Sequence, residues 1–161
     1  MNGFRFNEKY LSQIPALQQL TSLGFKYLTS EQALARLNIL PELAEADLCA
    51  TCKDVSNGGL LGTIALLLET SKVGAMVNID AVPQPLDFPL TDWLKAFLSY
   101  GFILTVNKKL TATVIDDFSQ QCITARVIGT IIDERRLHVS LAGEKGILFD
   151  LMRQPITGIH R

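Results

Sequence analysis

The stretch Lys53-Asp54-Val55-Ser56-Asn57-Gly58-Gly59-Leu60 places polar side chains and a glycine pair between two patterns of different period. Before it, residues 50–55 favour a short β-strand. After it, residues 58–71 repeat apolar side chains at helical spacing, and residues 74–79 form an apolar run typical of a buried strand. A strand, a tight turn, a helix and a second strand predict a βαβ unit, which indicates an α/β protein.

The glycine pair and the start of the helix suit the binding of an anion. Gly58 and Gly59 permit unusual backbone angles and a close approach of a ligand to the main chain. The first N–H groups of a helix have no partner inside it, and they carry partial positive charge. Ser56 or Asn57 can cap this helix by accepting a bond from one of these groups.

Two charged side chains precede the turn. Asp54 can hold a metal ion or a substrate hydroxyl, and Lys53 can meet a phosphate or a carboxylate. The stretch lacks both the Gly-Lys-Ser/Thr ending of a P-loop and the Gly-x-Gly-x-x-Gly of a Rossmann fold. The same residue types also suit helix capping without any ligand, so a purely structural role stays open at this point. The candidates for substrate or phosphate binding are Lys53, Asp54, Ser56, Asn57, Gly58 and Gly59; no catalytic residue is assigned and no metal site is predicted.

Helix and strand patterns continue downstream of the junction. Thr91 or Asp92 can cap a helix that ends near Tyr100, residues 102–106 favour a strand, and residues 110–118 repeat apolar side chains at helical spacing. Three short strands are predicted at residues 123–128, 130–133 and 136–141. Residues 133–135 are predicted to form a hairpin turn, and residues 143–146 a further turn.

These patterns define a fold class and a division of the chain. Residues 1–48 are predicted to form a helical N-terminal appendage, and residues 49–161 an α/β domain. The predicted fold is α/β (α+β), with a mixed sheet flanked by helices.

Composition excludes several classes of function. The 161 residues carry a net charge of -1 with no Lys/Arg cluster, so nucleic acid is not an expected partner. The N-terminus lacks the apolar core of a signal peptide, and the longest apolar stretch falls short of the about 20 residues that span a membrane. A cytoplasmic location without membrane contact is therefore expected.

Cys49 and Cys52 form a C-x-x-C pair, for which a redox or a zinc role has to be weighed. Thioredoxin-like chemistry places such a pair at the start of a helix, whereas this pair precedes or lies in a strand. Zinc needs two more ligands, and only Cys122, His138 and His160 remain, each alone in sequence. A structural role is favoured, and a thiol oxidoreductase is the least supported of the functions considered.

The junction resembles the Asp-Val-Ser-Asp-Gly-Gly-Leu signature in the C-terminal halves of the aminoimidazole ribonucleotide (AIR) synthase superfamily, also called PurM-like. Residues 99–106 and 125–130 are similar to later parts of the same domain, so the resemblance covers roughly residues 40–151. Lys53 before the aspartate, with residues 40–46 ahead of it, most resembles the uncharacterised AIR synthase-related branch. The resemblance implies a fold with ferredoxin-like character.

The resemblance also implies a function. In this family ATP phosphorylates a substrate or activates its oxygen for displacement by nitrogen in amidine or ring formation. ATP and Mg²⁺ are implied for a complete enzyme that acts on a phosphorylated small molecule, with a homodimer built on an N-terminal half. That half is expected to be the partner of this chain, which alone is expected to be inactive and to hold no cofactor. Many members carry histidine where Lys53 stands, so their substrates are not carried over. The alternative is a non-catalytic binding or dimerisation module that keeps the fold.

Overall fold

A computed structural model describes residues 36–96 and 101–158. The chain divides into two units, Met1–Asn38 and Ile39–Arg161, and all the helices and strands whose full range the structure describes belong to the second. The helices predicted before residue 36 and the predicted helix end near Tyr100 lie outside the described residues. The elements are α1 (Ile39–Glu45), β1 (Thr51–Asp54), α2 (Gly59–Ser71), β2 (Gly74–Asn78), a 3-10 turn (Ile79–Ala81), α3 (Leu90–Lys95), β3 (Phe102–Thr105), α4 (Thr111–Gln120), β4 (Gly129–Ile132), β5 (Arg136–Leu141) and β6 (Glu144–Asp150).

The larger sheet has four strands in the order β4-β2-β5-β6. β2 runs antiparallel to β4 and parallel to β5, and β5 runs antiparallel to β6. The prediction of a mixed α/β fold with helices beside a mixed sheet is confirmed. The predicted hairpin around residues 133–135 is wrong, because β2 lies between the two strands that this turn connects.

Among the described residues, a second sheet consists of β1 and β3, paired antiparallel with Cys52 opposite Leu104 and Lys53 opposite Ile103. The hydroxyls of Thr51 and Thr105 are 2.7 Å apart, which adds a side-chain hydrogen bond to this ladder. The predicted βαβ unit is wrong in its pairing, because β1 and β2 lie in different sheets. Both edges of β2 are occupied by β4 and β5, so β1 has to pair elsewhere.

Two apolar clusters stabilise the fold. The first lies between α2 and the larger sheet and includes Leu68 and Leu137, which are 2% and 0% exposed. The second joins α1 and α4 through Leu43 and Phe118. Each large side chain buried this completely stabilises the folded state by roughly 1.5–3 kcal/mol relative to its exposed form. The apolar side chains that recur at helical spacing in residues 58–71 therefore form the face of α2 that packs on the larger sheet.

Three local predictions are wrong. Residues 123–128 have no regular secondary structure, although a strand was predicted there. A turn was predicted at residues 143–146. The structure places it at Ala142 and Gly143, both with positive φ, and β6 begins at Glu144. Pro89 precedes α3 without a side-chain cap, so neither Thr91 nor Asp92 caps it. Proline suits this position because the first N–H groups of a helix lack partners in any case.

Candidate functional site

The candidate site is the turn that joins β1 to α2. β1 ends at Asp54 and α2 begins at Gly59. The N–H of Val55 donates to the carbonyl of Gly101 at 2.7 Å, and the Val55 side chain is buried. The turn is therefore tied to the start of β3 as well as to its own strand and helix.

Ser56 is held by its backbone. Its N–H donates to the Thr63 hydroxyl oxygen at 3.1 Å, and its carbonyl accepts the N–H of Gly59 at 2.8 Å. Thr63 is completely buried on the apolar side of α2, where a hydroxyl needs a partner. Sequence reasoning missed Thr63; the only signal was a polar residue on an otherwise apolar helix face.

Replacing Thr63 with valine is expected to lower the free energy of unfolding by about 0.5–1.5 kcal/mol, because the half-buried N–H of Ser56 loses its acceptor while the side-chain shape is kept. Chemical denaturation measures the change. Thr63→Ser retains the hydroxyl and is the matched control, with only the loss of one methyl group. Equal losses in the two variants would show that the hydrogen bond contributes little.

The two glycines have different roles in the structure. Gly58 precedes α2 with ordinary backbone angles, φ -76° and ψ 1°, and no side chain caps this helix, so the predicted cap by Ser56 or Asn57 is wrong. Gly59 has φ +62° and is buried. A Cβ at Gly59 would lie 2.3 Å from the carbonyl oxygen of Leu94, so the close approach at this glycine is made by α3.

Lys53 and Asp54 form an ion pair with each other. The Lys53 Nζ lies 3.5 Å from Asp54 Oδ1, and the two side chains are 35% and 59% exposed. Solvent screens such a pair, so it contributes at most a fraction of a kcal/mol, on the order of 0–1. Both groups therefore remain accessible to a charged ligand at the entrance of the turn.

The N-terminus of α2 retains unpaired hydrogen-bond donors. The N–H groups of Leu60 and Leu61 have no hydrogen-bond partner among the described residues. Asn57 and Gly58 next to them are exposed. The structure thus brings an exposed turn, two free N–H groups and Lys53 into one short segment, an arrangement that can accept an anionic group.

The cysteines are all free thiols; Cys49 is half-buried, and Cys52 and Cys122 are exposed. Although Cys52 as a whole residue is exposed, desolvation of its sulfur by surrounding atoms raises the pKa of the thiol, and Cys49 and Asp54 raise it further by charge repulsion. A raised pKa is the opposite of what an attacking thiol needs. Among the residues of the described ranges, no group of three or more His, Cys, Asp or Glu side chains could hold a metal ion.

Alkylation of Cys52 by iodoacetamide is expected to follow a pH profile with a midpoint above the ordinary thiol pKa of 9.0, because desolvation of the sulfur and, to a smaller extent, the neighbouring Cys49 and Asp54 disfavour its thiolate. Peptide mass spectrometry across a pH series measures the rate, and Cys52→Ser identifies the labelled peptide. A midpoint near neutral pH would instead support a reactive thiol.

His138 lies on β5 with its Nε2 3.2 Å from Glu134 Oε2. Its side chain is 30% exposed, so it is only partly turned toward solvent.

No helix among the described residues is long and apolar enough to cross a membrane.

The fold and the glycine-pair junction together define the C-terminal domain of AIR synthase-related proteins. Residues 12–142 match the family model described as "AIR synthase related protein, C-terminal domain", and the chain belongs to this family. An uncharacterised protein of Synechocystis is 41% identical over 121 residues, which cover 75% of this chain and 38% of the relative. The chain therefore spans less than two fifths of that relative's length.

Solved structures share the fold at low sequence identity. PurLQS from Thermotoga maritima aligns with a TM-score of 0.65 and 17% identity over 80% of this chain and 23% of its own. PurL of T. maritima complexed with ATP aligns with a TM-score of 0.58 and 20% identity over 65% of this chain and 18% of its own. These structures establish the architecture of the domain.

Proposed function

We propose that this chain is the substrate-side domain of an ATP-dependent enzyme. The reaction is phosphoryl transfer to a substrate, or ATP-driven activation of a substrate oxygen that a nitrogen nucleophile then displaces. The observation that carries the proposal is the family match over residues 12–142, with the family's motif at the start of α2. The family membership and the ATP complex of PurL support an ATP-using reaction.

The β1–α2 turn is proposed to bind the phosphate or carboxylate of a small-molecule substrate. The free N–H groups of Leu60 and Leu61 donate to its oxygens, and Lys53 balances its charge. Asp54 accepts a hydrogen bond from a substrate hydroxyl. Ser56 and Gly59 shape the turn from inside, through the contacts with Thr63 and α3.

ATP and Mg²⁺ are proposed to bind a partner domain of the kind described for the N-terminal half of the family. The Synechocystis relative extends well beyond the region that this chain matches, which leaves room for such a domain. The ATP complex of T. maritima PurL supports nucleotide use in this fold family. We further propose that the complete protein forms a homodimer through the partner domain and that it is located in the cytoplasm.

Inorganic phosphate is the probe for the proposed site. We expect it to shift the amide NMR signals of Leu60 and Leu61, and we expect Lys53→Ala to weaken binding by about three- to tenfold, because an exposed charge contributes about 1 kcal/mol. Lys145→Ala is the matched control, since Lys145 is an exposed lysine on β6. Absence of shifts at these amides, or equal affinity in the two variants, would contradict the site.

A second candidate is a binding module without chemistry, which exposed apolar side chains on the larger sheet favour. Met76 on β2 and Ile147 on β6 both lie in register with His138 and are 51% and 55% exposed. Exposed apolar groups of this kind are typical of surfaces that other molecules cover. Phosphate binding at the turn that depends on Lys53 would favour the enzyme domain over this candidate.

A further inference from the structure

Residues 124–127, which we call the open segment, have unpaired backbone hydrogen-bonding groups. None of its N–H or C=O groups has a hydrogen-bond partner within residues 36–96 and 101–158, the part of the chain that the structure describes. Both flanks are anchored, because the N–H of Ile123 donates to Phe118 at 2.9 Å and the carbonyl of Ile128 accepts from Asn78 at 2.7 Å. The open segment is therefore held at both ends and unpaired between them.

The composition of the open segment favours a strand. Threonine and valine are β-branched, and the whole run from Ile123 to Ile128 has the apolar and β-branched content of a strand. In the described part of the chain, no strand pairs with these residues. A segment with strand composition and free backbone groups is a template to which another strand can add.

An open groove of about 700 Å³ adjoins the segment. Its volume lies in the range of cavities that hold ligands or peptide side chains, about 300–1,000 Å³. Apolar and polar side chains line it, among them Ala81, Ile115, Ser119, Ile123, Arg126 and Val127. Val127 is 57% exposed. The groove therefore offers apolar contact beside the free backbone of the open segment.

Arg126 places a positive charge on the open segment, which favours a binding partner with a negative charge. It is exposed and makes no hydrogen bond or ion pair with any described residue. A guanidinium is matched best by a carboxylate, to which it can donate two parallel hydrogen bonds. A second copy of the same segment would bring another Arg126 close, and like charges on paired strands repel.

We propose that the open segment receives an added β-strand that carries an acidic side chain opposite Arg126. The strand comes from the polypeptide that, in the relatives, lies outside the region this chain matches. The Synechocystis relative contains such polypeptide, because the match covers 38% of its length. The inference uses the proposed function only to identify the partner, and it requires neither ATP nor phosphate.

Hydrogen–deuterium exchange tests this pairing on two intact proteins, this chain and the full-length Synechocystis relative, both without nucleotide. In this chain the amides of residues 124–127 are expected to exchange at the rate of unprotected backbone. In the relative, the amides of the corresponding segment that face the added strand are expected to exchange at least about tenfold more slowly, since strand pairing protects them.

Two outcomes would overturn the inference. Equally fast exchange in both proteins would mean that no strand adds to the segment. Protection in this chain alone that increases with its concentration would identify a second copy as the occupant. ATP binding by the relative, measured separately by calorimetry, tests the proposed function, so either idea can fail without the other.

Discussion

Gly59→Ala is expected to lower the free energy of unfolding by about 2–5 kcal/mol. A left-handed backbone costs a residue with a Cβ about 1–2 kcal/mol, and Gly59 has φ +62°. The added methyl group would also lie 2.3 Å from the Leu94 carbonyl oxygen and 2.9 Å from the Lys95 Cα. Both are backbone atoms, so α3 would have to move, and overpacking of this kind costs about 1–3 kcal/mol.

Denaturation by urea measures the loss, and Gly62→Ala in the same helix is the matched control. A Cβ at Gly62 would meet nothing within 4 Å. Alanine there is expected to stabilise the helix by up to about 1 kcal/mol, because alanine has the higher helix propensity. The two variants should therefore change stability in opposite directions. A small effect at Gly59 would mean that α3 does not rest on this glycine.

The contrast between the two glycines limits what the motif can say about a ligand. Glycine pairs before a helix are typical of ligand-binding turns, and that pattern predicted the site at residues 53–59. In the structure Gly58 is exposed, whereas Gly59 is buried against α3. A sequence pattern reports that a position needs glycine, but it cannot report whether a ligand or another part of the chain approaches it.

Local patterns predicted local structure well. β1, α2, β2 and β3 all lie within the predicted ranges, because period and composition act over a few residues. The helix–strand order near the junction is therefore accessible from the sequence. The candidate turn was located by the same local signals.

Strand pairing could not be predicted from local sequence patterns, because it depends on residues far apart in the chain. Residues 133–135 look like a hairpin turn, yet β4 and β5 both pair with β2, more than 50 residues earlier in the chain. Residues 123–128 have strand composition and no described partner strand. Thr63 was missed for a different reason: its hydroxyl accepts the N–H of Ser56 only seven residues earlier, but apolar periodicity does not report such a side-chain contact.

Gly74→Ala is the second large effect and tests this pairing directly. Gly74 begins β2 beside the turn that connects β4 to β5. A Cβ there would lie 1.8 Å from the carbonyl oxygen of Glu134 and 2.4 Å from that of Arg136. Real structures do not tolerate such distances, so β2 would have to move away from β5. We expect a loss of about 3 kcal/mol or more in the free energy of unfolding.

Gly146→Ala is the control for this variant, because Gly146 lies on β6 of the same sheet and a Cβ there meets nothing within 4 Å. Alanine at this exposed position should change stability by less than about 1 kcal/mol. The comparison separates the clash from the general effect of replacing a glycine in a strand. If β4 and β5 formed a simple hairpin with β2 elsewhere, Gly74→Ala would be as mild as Gly146→Ala. A large difference between the two variants is therefore expected only if β2 lies between β4 and β5. In that arrangement the start of β2 meets the backbone of the β4–β5 turn, and Gly74 is needed there because it has no Cβ.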